Sequence, residues 1–241
     1  MHPGQPEGSR TPPEVARQLL ERVRREEPVE SHLQRLAEFE QRELEMLRTD
    51  RIAALAFWLN IYNAATQLLL VERPGLFDSR WRFFRTAAIT IADVPLSLDD
   101  IEHGILRGNR SKYGLGYLPR IANTGLESDY QLKVDPRIHF ALNCGAASCP
   151  AILAYEAEQI DDTLDEATQL HLDNTVTYNP ERNRMRVPRV CLWFIGDFGG
   201  FSGLKAFLRD YGQIPDRRNP SIRFQRYDWT KRPRRFISRS E

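Results

Sequence analysis

RIAALAFWLNIYNAATQLLLVER, residues 51–73, is apolar on nearly every side of a helical wheel. Asp50 precedes it as an N-cap, and Pro74–Gly75 stops it. A helix that is apolar all round is a buried one, so this segment is expected at the centre of the fold. Its length also permits a membrane span. Asn60, Asn63 and Gln67 argue against that, because they recur at i, i+3 and i+7 as one polar stripe. Buried amides require partners. They either bond loop backbone and hold the core in register, which is the plainer reading, or line a pocket. The second reading makes Asn60 and Asn63 candidate substrate-binding residues.

The densest set of reactive side chains lies in RIHFALNCGAASCP, residues 137–150. Ile138, Phe140 and Leu142 alternate, which predicts a strand over 137–143 with His139 and Asn143 on its other face. Gly145 ends it. Cys149 stands directly before Pro150 and an apolar run, AILAY, so it reads as the N-cap of a helix. A thiol at a helix start meets free N–H groups and the positive end of the dipole, which favours the thiolate. Cys149 is therefore the candidate nucleophile, set against the reading of a small apolar residue packed at a turn. Cys144 falls in phase with the apolar face. A disulfide between Cys144 and Cys149, or a metal site with His139, are further readings, although the His-x4-Cys-x4-Cys spacing is not a common zinc pattern.

Elsewhere the pattern predicts helices at 12–26, 28–48, 97–107, 161–174 and 203–211, and a strand at 86–92. A hairpin is expected with strands 174–178 and 184–187. Ser97 and Asp100 form a capping-box variant. Within that helix Glu102 and His103 are adjacent, so they point about 100° apart; His103 is a candidate base. Residues 108–136 lack periodicity and suit a lid or pocket wall. Asp197, in WFIGDFGG, either caps the next helix (203–211) or reaches the active centre; capping or loop-bonding is the plainer role. Cys191 lies among large apolar residues and reads as core.

The chain has 241 residues, a net charge of +1 and three cysteines. That length supports one domain with additions. The charge gives no global electrostatic case for nucleic acid or an anionic membrane. The N-terminus has no apolar signal core, so a cytoplasmic location is expected. We divide the chain into a disordered leader (1–13), an N-terminal helical pair (14–48), a single α+β domain (49–230) and a basic, solvated tail (231–241). The expected fold is a central buried apolar helix packed on a small, mainly antiparallel sheet.

FWLNIYNA (57–64), PLSLDDIEHGILRG (95–108), DPRIHFALNCGAASCP (135–150), WFIGDFGG (193–200) and YDW (227–229) together resemble the family called domain of unknown function 547. The resemblance implies an uncharacterised family of bacterial, plant and animal proteins. Some plant members carry a coiled coil, and many bacterial members are exported. It brings no cofactor and no reaction.

Three functions are weighed. The first is a cysteine-dependent hydrolase or acyltransferase acting on an amide, ester or thioester. Cys149 would be its nucleophile, His139 or His103 its base, and Asn143 or Glu102 the orienting group; Asn60, Asn63, Cys144 and Ser148 would bind substrate. The second is a non-catalytic scaffold, with a protein partner on the N-terminal helices. The third is a thiol-redox or metal site at Cys144 and Cys149. No cofactor is expected, and the partner of the first reading is a small-molecule or peptide substrate.

Overall fold

The computed structural model describes residues 10–121 and 125–237. The fold is α+β, built around the helix Arg51–Glu72. Asp50 caps that helix, its carboxylate accepting from Ile52 N (2.9 Å) and Ala53 N (3.2 Å). Every side chain from Ala53 to Gln67 is buried. The helix is long and apolar enough to cross a membrane, yet here most of it is packed inside the protein.

The first helix, Pro12–Arg25, lays Val15, Ala16, Leu19 and Leu20 into the same core as the central helix. Pro12 and Pro13 already belong to this helix and are buried, so the expected leader is shorter by at least that much; residues 1–9 lie outside the described residues. The expected helix over 28–48 is three short ones, Glu30–Ala37, Gln41–Leu44 and Met46–Thr49. The break has a cause. The carbonyls of Leu36 and Ala37 accept from Ala92 N (3.0 Å) and Asp93 N (2.9 Å), so they are taken by a neighbouring turn instead of the next helical residues.

That turn joins β1 (Ala87–Ile91) to β2 (Val94–Ser97), an antiparallel pair. A second sheet has the order β3–β4–β5: β3 (Thr177–Asn179) runs antiparallel to β4 (Arg184–Val187), and β5 (Ser221–Phe224) runs parallel to β4. Among the described residues there are thus two small sheets rather than one, and neither contains 137–143. That stretch begins with a 3-10 helix, Pro136–Phe140, opened by Asp135, whose carboxylate accepts from Arg137 N (3.0 Å). The alternation misled because Ile138, His139, Phe140, Ala141, Leu142 and Asn143 are all buried, whichever face they occupy.

Residues 150–156 form no helix. Their backbone is taken by the C-terminal segment instead: Ile152 N donates to Arg235 O (2.7 Å) and Ile237 N to Ile152 O (3.1 Å). Arg232 N donates to Gly145 O (2.7 Å) in the same way. The expected solvated tail is therefore docked through residue 237, and residues 238–241 lie outside the described residues.

Candidate functional site

The central helix supports the cysteine loop through its amides. Asn60 exchanges two bonds with the backbone of Tyr155, at 2.7 and 3.0 Å. Asn63 donates to Ala141 O (3.0 Å) and accepts from Asn143 N (2.9 Å). Gln67 accepts from Arg234 N (2.7 Å). Asn143 donates to Pro150 O (2.5 Å) and accepts from Gly145 N (2.8 Å). All four side chains are fully buried. Asn60 and Asn63 are thus spent on loop backbone rather than on the cleft wall, and Asn143 ties both ends of the cysteine turn instead of orienting His139. Gly145, at φ +85°, sits where a Cβ would lie 2.4 Å from Leu70.

The loop so held places two thiols side by side. Cys149 Sγ accepts from Cys144 N (3.0 Å), and Tyr227 Oη lies 3.1 Å from Cys149 Sγ and 3.2 Å from Cys144 Sγ. Burial pushes the Cys149 thiol up, but the Cys144 thiol, the Tyr227 hydroxyl and backbone groups of Ala146 and Cys144 outweigh it, and its pKa falls below the ordinary value. Cys144 moves the other way, well up, because its thiol is the donor to Cys149. The donors that favour the thiolate are thus the partner thiol, Tyr227 and the loop backbone, in place of the helix dipole expected at Cys149. Cys191 is core, as expected.

Tyr227 is fixed by the docked C-terminal segment. Ala147 N donates to Thr230 O (2.8 Å), and Asp228 N donates to Ser148 Oγ (2.8 Å), so Ser148 locks the segment to the loop. Trp193 and Trp229 pack on the Tyr227 ring at 4.8 and 4.5 Å between centroids.

A cleft of about 750 Å³ opens beside the thiols, within the size range of small-molecule sites. Cys144, Cys149, Ser148, Glu102, His103 and His139 all line it. Glu102 and His103 share this cleft although they are adjacent. Asp100–Leu106, which carries them, is wound as a π-helix, seen in Arg107 N donating to Glu102 O (2.9 Å). Single π turns are frequent at functional sites. Tyr62 donates to Glu102 Oε2 (3.0 Å), and burial pushes the Glu102 carboxyl up to about 7. His103 Nδ1 accepts from Arg107 Nη1 (3.0 Å), which puts its own proton on Nε2.

Asp197 reaches this centre, the less favoured of the two roles expected for it. Its buried carboxylate accepts from Arg107 Nε (2.6 Å), Arg110 Nη1 (3.0 Å) and His139 Nε2 (2.9 Å). His139 and Arg107 hold the carboxyl far below its usual range despite burial. Desolvation, outweighing Asp197, keeps His139 neutral, and burial and Arg107 do the same for His103. Phe194 stacks on the His139 ring at 4.6 Å and 10°, with the Arg107 guanidinium 4.0 Å from its centroid. Gly196 is required here: a Cβ would sit 2.8 Å from the Gly116 backbone, where the 108–136 segment comes close. That segment supplies Lys112 and Tyr113 to the cleft wall.

Arg107, Tyr62 and Tyr227 are the members that residue-by-residue reading missed. Each lies inside one of the motifs that carry the resemblance, which was the available signal. Among the described residues neither cysteine hydrogen-bonds a histidine, and no three His, Cys, Asp or Glu side chains converge as metal ligands. The metal reading of Cys144, Cys149 and His139 therefore has no ligand set.

The architecture defines an α+β domain whose paired thiols share one cleft with two buried imidazoles. Residues 46–172, more than half of the chain, match the family model described as protein of unknown function, DUF547, and the chain belongs to that family. Searches of curated proteins and of solved structures return no match. Asp197 and Tyr227 fall beyond the matched segment, yet both complete its site.

Proposed function

We propose that this domain is a cysteine-dependent hydrolase or acyltransferase, with Cys149 as nucleophile. The observation that carries the reading is the set of donors gathered on Cys149 Sγ, the Cys144 N–H at 3.0 Å and the Tyr227 hydroxyl at 3.1 Å, at the wall of the cleft. A thiolate stabilised by local donors needs no neighbouring base to form. Its lone pair attacks the carbonyl carbon of an amide, ester or thioester, and the carbonyl π pair moves to oxygen. Collapse expels the leaving group, which takes up a proton, and leaves an acyl-thioester. Water or another acceptor then attacks that thioester, losing its proton and releasing the Cys149 thiolate. His139, with Nε2–H held on Asp197, offers Nδ1 as the base of this second step. Glu102, titrating near 7, is suited to protonate the leaving group.

The test is brief alkylation with iodoacetamide at neutral pH, read by intact mass and peptide mapping. One thiol, Cys149, should react faster than free cysteine, and Cys149→Ser should remove that fast phase. A protein whose three thiols all react no faster than free cysteine would sink the proposal.

A second reading, thiol redox, is favoured by the contact between the two thiols and their shared Tyr227 partner. The Cys149 thiolate would attack hydrogen peroxide, giving a sulfenic acid and hydroxide. The Cys144 sulfur would then displace that oxygen as water, forming the disulfide. Loss of two hydrogens in the intact mass after stoichiometric peroxide, absent in Cys144→Ser, distinguishes it.

A further inference from the structure

The charge on the cleft wall is lopsided. Its cations are Arg80, Lys112, Arg189, Arg226 and Arg235, against the carboxylates of Asp99 and Glu102. Lys112 is bonded to Asp99, and Glu102 to Tyr62. The Arg235 guanidinium is anchored beside the nucleophile, donating to the carbonyls of Ala147 and Cys149 at 2.7 Å each. Arg80, Arg189 and Arg226 enter no ion pair and no side-chain hydrogen bond among the described residues; Arg80 lies 4.7 Å over the ring of Trp229. On a chain of net charge +1, three unmatched guanidiniums around one opening are a local field and not a global one.

Flat apolar surface accompanies this charge. Trp193 and Trp229 stack at 5.8 Å and 25° on one wall. Trp81 and Tyr113 line the same cleft while remaining 61 % and 67 % exposed. Large rings left this exposed in the lining of a cleft offer faces for a planar ligand.

We infer that the cleft selects an anionic, ring-bearing compound: an acyl compound whose carboxylate or phosphate is held by Arg80, Arg189 and Arg226 while a flat ring lies against the tryptophan wall. As an acyl substrate it rests on the reading of Cys149 as nucleophile; its charge preference does not. Guanidinium groups suit both anions, since each accepts two parallel N–H bonds.

Binding is measured by isothermal titration calorimetry on the whole chain, with 1-naphthoate, 1-naphthyl phosphate, the neutral 1-naphthamide and the cationic 1-naphthylmethylammonium. Both anions should bind about ten-fold or more tighter than the amide, and the cation weakest. Which anion binds tighter tells carboxylate from phosphate recognition. The preference should shrink between about 50 and about 500 mM salt. It should vanish in the Arg80→Gln/Arg189→Gln/Arg226→Gln variant, whose fold is checked by circular dichroism. Equal affinities for anion and amide, a preference unchanged in the triple variant, or no binding by any probe would overturn the inference. Fast Cys149 alkylation without anion preference overturns the inference and leaves the nucleophile standing. Anion preference with an unreactive Cys149 supports the inference and removes the nucleophile.

Discussion

Two buried polar regions meet at the cysteine loop, and the central helix serves both. Asn60, Asn63 and Gln67, with Asn143, form a neutral set whose partners are mostly loop backbone. Tyr62, from the same helix, enters the other set, with Glu102, His103, Arg107, Asp197 and His139. The first set has its side-chain partners and does not line the cleft. In the second, Glu102, His103 and His139 titrate away from their ordinary values and line the cleft. Burial alone therefore does not separate structural from chemical polar groups. What separates them is whether their hydrogen-bonding capacity ends on backbone or on other titratable side chains beside open space.

The largest expected effect lies in the ionised set. Asp197→Asn leaves the fully buried Arg107 guanidinium without its counter-charge and should cost about 3–5 kcal/mol in urea unfolding. Asn143→Ala, in the neutral set, removes the partners of Pro150 O and Gly145 N and should cost about 2–4 kcal/mol. The two variants should differ in kind as well. Asn143→Ala loosens the loop and should lose the fast thiol, whereas Asp197→Asn should keep the fast thiol and lose turnover of an acyl substrate. If Asn143→Ala retained a fast Cys149, the neutral set would not be what positions the nucleophile.

The neutral set was legible in the sequence, because i, i+3, i+7 spacing on an apolar helix leaves amides no water to bond. The central helix, the Ser97–Asp100 box and the β3–β4 hairpin were legible for similar local reasons. The ionised set was not. His139 and Asp197 are 58 positions apart and Arg107 and Asp197 are 90 apart, so their pairing is purely tertiary. The π turn that carries Glu102 and His103 leaves no mark in the hydrophobic pattern. Neither does the docking of Tyr227, which depends on a segment whose basic composition suggests a solvated tail. The strand expected over 137–143 failed because uniform burial removes the meaning of alternation.

Glu102→Gln probes the ionised set more gently. Burial raises the Glu102 carboxyl from 4.5 to about 7 in the fold, so between those values the native state binds more protons than the unfolded chain. The stability tied to its protonated form is present at low pH and is lost as pH rises through about 7. A glutamine still accepts from Tyr62 but cannot ionise. The variant should match the wild type near about pH 4 and exceed it by roughly 2–3 kcal/mol near about pH 8. His103 and His139 act oppositely. Held neutral by burial, they cost stability as pH falls below the ordinary 6.5. The difference between wild type and variant removes that background. A constant difference across the range would mean that Glu102 is ionised in the native protein throughout.

Tyr227→Phe should have the smallest effect on the fold and the most local one on chemistry. The ring contacts with Trp193 and Trp229 persist, so unfolding should shift by less than about 1 kcal/mol. One donor to Cys149 Sγ is lost, which corresponds to about one pKa unit and a roughly ten-fold smaller thiolate fraction at neutral pH. The alkylation rate should therefore fall by that factor, with its pH midpoint displaced upward by the same unit. A rate that falls without a displaced midpoint would assign Tyr227 to access rather than to charge. An unchanged rate would leave Cys144, through its N–H and its thiol, as the sufficient source of the Cys149 thiolate, and the docked C-terminal segment would then belong with the structural region.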